Sequence, residues 1–232
     1  GSIFGTVNVD IGSYGMIFTT IACIAAINAF NMVDGIDGLA GSMSIVTIGS
    51  IALMKLISGH LDLILLPLVL VVAIVPFLFY NVSRRNPRGK KIFMGDAGSM
   101  FMGLTVLWLL ALETQGNSSS FRPVTALWII AVPLMDMLSI MFRRVRQGNS
   151  PFKADNGHLH HIVIRAGFSS RQALIIISAL ALVFAVTGIA GEILLIPEWI
   201  MLAAFILLFV TYTLVLSHYC RTLKTADKYQ RV

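Results

Sequence analysis

One polar stretch divides an otherwise apolar chain: Asn28-Ala-Phe-Asn31-Met-Val-Asp34-Gly-Ile-Asp37-Gly-Leu-Ala-Gly41. Asn31, Asp34 and Asp37 are three residues apart, a spacing that on a helix would bring them close together. Carboxylates held this close repel one another unless a positive group lies between them. The neighbouring glycines leave the backbone open to an anion or a hydrated cation. Helix capping and solvated aspartates are the alternative, but the whole pattern favours a site for a metal-bound phosphate.

The composition is that of an integral membrane protein. The 232 residues are 57% hydrophobic and 12% charged, and the mean hydropathy is +0.86, values that ordinary soluble domains do not reach. We therefore predict an all-α, polytopic transmembrane helical bundle with cytoplasmic catalytic loops. Runs of the length needed to cross a bilayer give seven spans: Tyr14–Asn28, Met43–Ile57, Leu63–Tyr80, Ala97–Leu112, Val124–Met141, Ala173–Ala190 and Pro197–Ser217.

The basic residues predict the orientation of these spans. Of the 17 Lys and Arg, all except Lys55 and Arg122 follow the third, fifth or seventh span. Alternation places these three segments on one face, and the positive-inside rule makes that face cytoplasmic. The net charge of +6 and pI near 9.6 are explained by this topology and by anionic lipids. We therefore predict membrane lipids, and no nucleic acid, as partners of the charged face.

The segment after the third span predicts a magnesium ligand. Five cations between residues 84 and 91 precede Asp96, which lies between two glycines at the start of the next apolar run. A positive-inside anchor followed by an Asp N-cap is the alternative interpretation. Topology, however, places Asp96 on the same face as Asp34 and Asp37. Carboxylates from separate helix ends, completed by water and phosphate oxygens, suit Mg²⁺.

The segment after the fifth span carries cationic and imidazole groups. Arg143 and Arg144 open it, and His158-Leu-His160-His161 follows. Arginine can bind a phosphate through two parallel hydrogen bonds, and histidine can donate to phosphate or bind a metal. A zinc site is the weaker interpretation because neither a Cys nor a helical His-Glu pattern accompanies the histidines. Asp136, inside the fifth span, is either a supporting group for the site or a helix-packing group.

Three motifs resemble the signatures of one family. Asn31-Met-Val-Asp34-Gly-Ile-Asp37-Gly-Leu, Phe93-Met-Gly-Asp96-Ala-Gly-Ser and His158-Leu-His160-His161 occur in the order found in the polyprenyl-phosphate N-acetylhexosamine-1-phosphate transferases. The chain looks closest to the WecA branch of this MraY/WecA superfamily. That resemblance implies transfer of GlcNAc-1-phosphate from UDP-GlcNAc to undecaprenyl phosphate in the bacterial inner membrane. The implied product initiates cell-surface polysaccharide synthesis, and O-antigen is one such polysaccharide.

The resemblance also implies roles for individual residues. Asp96 matches the family's Mg²⁺ ligand, with Mn²⁺ as the alternative ion, and Asp34 and Asp37 match acids that activity requires. The remaining expectations concern substrate contacts. The nucleoside pocket is expected to involve Asn31, Asn81 and Phe93, and the diphosphate or sugar is expected to contact His158, His160, His161, Arg143 and Arg144. A homodimer is compatible with the family pattern.

One departure from the family bears on completeness. The family carries an adjacent pair of aspartates in an earlier cytoplasmic loop and additional N-terminal spans, and this sequence has no Asp-Asp pair. We therefore expect residues 1–232 to be a single integral membrane transferase domain that lacks the family's N-terminal helices. A transporter or channel, another UDP-N-acetylhexosamine donor and a noncatalytic scaffold are the alternatives. Intramembrane acids would mark a transport pathway, but here the acids gather at one interface.

Overall fold

The structure, a computed structural model, describes residues 14–82, 92–115, 119–151 and 157–229. These residues form helices and connecting turns, with no strand among them, which confirms the predicted all-α class. The cations predicted between residues 84 and 91 lie outside the described residues. The helices are α1 Tyr14–Val33, α2 Leu39–Ser58, α3 Leu65–Val82, α4 Gly95–Thr114, α5 Pro123–Ile129, α6 Ala131–Arg146, α7 Leu159–Arg165, α8 Ser170–Ile193 and α9 Glu198–Tyr229.

Six of the described helices are long and apolar enough to span a membrane, and α5 and α6 together form a seventh, broken candidate. The prediction of seven spans holds when this bent pair is counted as one span. The predicted span Val124–Met141 is not one straight helix, because α5 and α6 meet at an angle of 79°. Pro133 lies in the first turn of α6, where it lacks an N–H and crowds the carbonyl of Ile129, the last residue of α5.

The polar stretch forms a turn and not a continuous helix. Helix α1 extends to Val33, five residues beyond the predicted end of its span, and residues 34–38 connect it to α2. Asn28 fits inside α1 because its amide donates to the carbonyl of Ile24 at 2.7 Å. Gly38 has a φ of 81°, a conformation that glycine adopts without strain. Asp34 and Asp37 therefore do not have the spacing of a helix. As predicted, they lie between two candidate membrane spans.

Close contact between α1 and α4 brings the end of α1 near the start of α4. Helix α1 packs against α4 and α6, and at Gly103 of α4 an added Cβ would lie 2.5 Å from the carbonyl oxygen of Ala26. Large apolar side chains such as Leu65, Val72 and Leu207 are exposed on α3 and α9, as expected for surfaces in contact with lipid tails. The α1–α2 turn and the start of α4 consequently lie at the same end of the bundle, which we call the acidic end.

The other end of the bundle contains two ion pairs, and we call it the salt-bridge end. Lys55 Nζ lies 2.7 Å from Glu113 Oε1, and the second oxygen of Glu113 accepts from the Ser120 hydroxyl at 2.6 Å. Arg122 Nε lies 3.0 Å from Glu192, whose other oxygen accepts from the Thr125 hydroxyl. The two ends are about 30 Å apart, the length of a 20-residue helix.

Candidate active site

Three carboxylates are grouped at the acidic end, and the charges of two of them act on the third. Asp34 and Asp37 lie in the α1–α2 turn, and Asp96 lies in the first turn of α4. Burial, and after it the negative charges of Asp96 and Asp37, raises the pKa of Asp34 above its usual range. Within the described residues, Asp34 and Asp96 form no ion pair. The arrangement concentrates negative charge, and a bound cation would relieve the repulsion.

Asp96 is available to such a cation. It is exposed, and the residue that caps α4 is Met94, so the alternative in which Asp96 is the N-cap is wrong. No group of three His, Cys, Asp or Glu converges into a complete metal site in the part of the chain that the structure describes. This donor set fits a hard ion that takes one or two carboxylates and fills its other positions with water and substrate phosphates, as Mg²⁺ does. Asp96 as metal ligand stays a prediction.

The histidine segment is attached to α6 and reaches the acidic end. Asp136 of α6 contacts His158 Nδ1 through one carboxylate oxygen at 3.1 Å, and its other oxygen accepts from the backbone N–H of Leu159 at 3.0 Å. Arg143 lies about two helical turns after Asp136 in α6. It donates to the carbonyl of Gly157 at 2.6 Å. Helix α6 therefore holds three consecutive residues, 157–159, at the point where the histidines begin.

His160 packs directly against the acidic turn. Its side chain is buried, with the residue 2% exposed, and an added Cβ on Gly35 would lie only 2.1 Å from its Nε2 atom. Burial, and after it the neighbouring His161 and His158, lowers the pKa of His160 to about 4. The ring is therefore neutral at pH 7. The absence of a side chain at Gly35 leaves the space that this ring occupies.

Asn81 contacts the short segment that carries Phe93 and precedes Asp96. Asn81, at the end of α3, donates through Nδ2 to the carbonyl of Ile92 at 2.6 Å, while its buried Oδ1 has no hydrogen-bond partner among the described residues. The next residue, Phe93, is 71% exposed. An exposed aromatic ring suits stacking with a planar base. The assignment of Asn81 and Phe93 to the nucleoside, like that of Asn31 at the end of α1, stays a prediction.

The two predicted arginine contacts lie inside the protein. Arg143 and Arg144 are both buried, and Arg144 donates to the carbonyl of Pro151 at 2.5 Å. These hydrogen bonds hold the connection between α6 and the histidines. The structure thus gives both side chains a role in shaping the segment, and contact with the diphosphate or sugar stays a prediction for them.

A pocket of roughly 530 Å³ adjoins the acidic turn. Asp37 and Arg171 contribute charged groups to its wall. Its remaining lining residues are Val82, Ile164, Phe168, Ser169, Ser170 and Leu174. No prediction from the sequence connected Arg171 with Asp37. The two are far apart in the chain, so no local pattern could have indicated that they share a pocket.

Tyr212 is a second residue that the sequence did not indicate. Tyr212 lies in α9, and its hydroxyl donates to Asp136 at a distance of 3.2 Å. In the sequence Tyr212 appears as one aromatic residue among apolar neighbours, so only its partner marks it. Asp136 did carry a signal, an acid within an apolar span, and the structure assigns it to the histidines.

Taken together, the acidic end can bind a phosphorylated, metal-bearing ligand. It combines three acids, of which Asp34 and Asp96 form no ion pair among the described residues, with a histidine segment fixed by hydrogen bonds, an exposed aromatic ring and an adjoining pocket. The arrangement favours charge stabilisation and positioning of two substrates, which is how phosphoryl-transfer sites act.

Comparisons with known proteins agree with this chemistry. Residues 1–113 match the model described as glycosyl transferase family 4, a match that includes the acidic turn and Asp96. Three curated relatives bear the name undecaprenyl-phosphate alpha-N-acetylglucosaminyl 1-phosphate transferase. The relative from Haemophilus influenzae is 44% identical over 231 residues, covering 100% of this chain and 65% of its own length.

The other two relatives give the same result. The Yersinia pestis protein is 45% identical over 232 residues, which is 100% of this chain and 63% of the relative. The Pasteurella multocida protein is 50% identical over 213 residues, which is 92% of this chain and 60% of the relative. The chain thus spans less than two thirds of the length of these relatives. The alignments with the first two include the histidine segment, which lies beyond the family match.

Proposed function

We propose that the protein transfers GlcNAc-1-phosphate from UDP-GlcNAc to undecaprenyl phosphate, a proposal supported by the match of residues 1–113 to the glycosyl transferase family 4 model. The products would be UMP and undecaprenyl-diphospho-GlcNAc. The observation that carries the proposal is the meeting of Asp34, Asp37 and Asp96 with His160 at one end of a membrane bundle. Relatives that carry this activity in their names align with the whole chain.

The reaction exchanges one phosphoanhydride for another. An oxygen of the lipid phosphate attacks the β-phosphorus of UDP-GlcNAc, a new P–O bond forms, and the bond to UMP breaks with UMP leaving as the anion. Because bond types are conserved, the protein must mainly lower the barrier by positioning the two phosphates and stabilising charge. Phe93 and Asn81 would hold the uracil end, and the histidine segment would lie beside the diphosphate.

Asp96 would hold a Mg²⁺ ion, with Mn²⁺ as the alternative, and Asp34 lies near enough to Asp96 and Asp37 to be affected by their charges. When bound, the ion supplies positive charge to the diphosphate and the leaving group. The acids alone would repel the substrates, since both substrates and carboxylates are anionic. Burial, and after it the charges of Asp96 and Asp37, raises the pKa of Asp34, so repulsion among the carboxylates already contributes in the protein.

The location of the site suits two substrates of opposite solubility. The nucleotide sugar is water-soluble, whereas the polyprenyl tail requires lipid. A site at the end of apolar helices gives both substrates access. We propose that the acidic end faces the cytoplasm of a bacterial inner membrane, as the positions of the basic residues predict. The product would then enter cell-surface polysaccharide synthesis.

Radiolabel transfer in detergent tests the proposal. UDP-GlcNAc labelled in the sugar is incubated with undecaprenyl phosphate, Mg²⁺ and one of three proteins. These are this chain, an extended protein carrying the part of the Haemophilus influenzae relative that precedes the aligned region, and the Asp96→Asn variant of the extended protein. We expect lipid-linked label from the extended protein and at least about a 100-fold lower rate from Asp96→Asn.

Two outcomes would contradict the proposal. An unchanged rate for Asp96→Asn would remove this residue from the site. Absence of transfer by the folded extended protein, with UDP-GalNAc also tried as donor, would favour a transporter or channel. In that case, substrate or ion flux across proteoliposomes would depend on the same acids, as intramembrane pathways require.

A further inference from the structure

We propose that Asp136 is a positioning residue for His158, one that keeps the proton of the neutral imidazole on Nδ1 and leaves Nε2 as the nitrogen available to the phosphates. The proposal rests on the proposed function only for the identity of the ligand that Nε2 meets. The protonation of the ring itself follows from hydrogen bonds within the protein. It can therefore be tested apart from activity.

The hydrogen-bond pattern assigns the proton. One oxygen of Asp136 lies 3.1 Å from His158 Nδ1, and the other accepts from the Leu159 N–H at 3.0 Å and from the Tyr212 hydroxyl at 3.2 Å. An ionised carboxylate can only accept hydrogen bonds, so Nδ1 must carry a hydrogen. Asp136 is 2% exposed, which leaves little room for water to replace any of these partners.

The position of the segment does not depend on Asp136 alone. Arg143 holds the Gly157 carbonyl at 2.6 Å, immediately before His158. The His158 ring stacks on the His160 ring with centroids 5.6 Å apart and planes 12° from parallel. The segment therefore keeps contacts with α6 and with itself when the Asp136 side chain changes. This separates a role in ring protonation from a role in holding the backbone.

A proton on Nδ1 has a consequence for phosphate binding. The lone pair of Nε2 can take up a proton when phosphate oxygens approach, which gives an imidazolium ring. Its Nε2–H then donates to a phosphate oxygen while its Nδ1–H donates to the Asp136 carboxylate. Both hydrogen bonds involve ionised groups and are stronger than neutral ones. Asp136 thus neutralises the charge of His158 from behind while the ring faces an anion.

The Asp136→Asn variant should reverse this arrangement. The Leu159 N–H is a fixed donor, so the oxygen of Asn must face it, and the NH₂ group must face His158 Nδ1. Nδ1 then becomes the acceptor, and the proton of the neutral ring moves to Nε2. The amide also opposes the imidazolium form, because its NH₂ would face a second N–H group. The variant retains a neutral N–H donor but loses the charged one.

Nitrogen-15 NMR and steady-state kinetics of the extended protein test the proposal together. Uniformly ¹⁵N-labelled histidine reports the tautomer, and the His158→Gln spectrum identifies the signal of His158. We expect Nδ1–H in the wild type and Nε2–H in Asp136→Asn. We also expect kcat to fall by about 10-fold to 100-fold, the difference between a charged and a neutral hydrogen bond, while KM for UDP-GlcNAc changes little.

Two matched variants serve as controls. Tyr212→Phe removes one donor but keeps the carboxylate, so it should retain the Nδ1–H tautomer and lose less than about threefold in kcat. Glu113→Gln makes the same carboxylate-to-amide change at the salt-bridge end and should leave the His158 signal unchanged. The proposal is overturned if Asp136→Asn keeps the wild-type tautomer, or if both controls lose as much kcat as Asp136→Asn does.

The failure of the proposed function would look different. A wild-type extended protein that transfers no sugar phosphate but shows the Nδ1–H tautomer, with reversal in Asp136→Asn, would support the positioning of His158 and refute the transferase assignment. An extended protein that is active, but in which Asp136→Asn changes neither the tautomer nor kcat, would support the transferase assignment and refute the positioning of His158.

Discussion

The two ends of this bundle use buried charge in opposite ways. At the salt-bridge end, the ammonium of Lys55 and the carboxylate of Glu113 are buried 2.7 Å apart, and Ser120 satisfies the remaining carboxylate oxygen. At the acidic end, Asp34 lies beside Asp37 and Asp96, with its pKa raised. One end therefore compensates its buried charges within the fold, whereas the other end keeps a repulsion that a bound ligand would relieve.

The largest effect should come from breaking the buried pair. In Glu113→Gln, the Lys55 ammonium stays buried without a counter-charge, which costs about 3–5 kcal/mol and lowers Tm by roughly 10 °C in detergent. Circular dichroism or a thiol-reactive dye would measure this change. The double variant Lys55→Met with Glu113→Leu should recover most of the loss, because it removes both charges together. Equal losses in the single and double variants would contradict this account.

The second prediction concerns the contact between the turn and the histidines. In Gly35→Ala the new methyl group would lie 2.1 Å from His160 Nε2, so the ring must move. We expect the transfer rate to fall by about 10-fold to 100-fold, since displacements near 1 Å have such effects in active sites. Gly49→Ala is the matched control, because its Cβ meets nothing within 4 Å. An unaffected rate in Gly35→Ala would show that His160 can leave the turn freely.

Much of the difference between the ends could be predicted from the sequence. Apolar runs depend on local composition, so the spans were predicted, and alternation along the chain correctly brought Asp96 near Asp34. The break between α5 and α6 was missed even though Pro133 was visible. A proline can break a helix or only kink it, and which of the two occurs depends on how the neighbouring helices pack.

The partners across the bundle could not be predicted. Lys55 and Glu113 are 58 residues apart, and Asp136 and Tyr212 are 76 apart. No periodicity links such positions, because each pair depends on the rotation of two helices about their axes. Residues 34–38 were treated as helical from their spacing, yet glycine in the left-handed region at position 38 ends that pattern.

A smaller effect of opposite sign is expected at the acidic turn. The pKa of Asp34 is raised in the folded protein, so its ionised form opposes folding at neutral pH. Asp34→Asn should therefore raise Tm at pH 7, by on the order of 1–2 °C after allowance for solvent screening. The same measurement on Glu113→Gln gives a fall. A lower Tm for Asp34→Asn would contradict this prediction, because it would mean that other groups stabilise the Asp34 carboxylate more than the neighbouring acids oppose it.

A pH dependence of stability is also expected at His160. The unfolded chain binds a proton at this residue below a pKa near 6.5, whereas the folded protein does so only below about 4. The free energy of unfolding therefore decreases as pH falls through that interval, by at most about 1.4 kcal/mol per pH unit. His160→Gln should lose this contribution. Melting curves at pH 7 and pH 5 would measure it, and identical pH dependence in the variant and wild type would contradict the assignment.

The most direct test of the contrast is the rate of sugar-phosphate transfer per folded molecule, measured for Asp34→Asn and Glu113→Gln in the extended protein. The account predicts that Asp34→Asn loses at least about 100-fold in rate although it melts higher. It also predicts that Glu113→Gln keeps a rate close to that of the wild type although it melts lower. Equal losses in both variants, or an active Asp34→Asn, would contradict the separation of a catalytic end from a stabilising end.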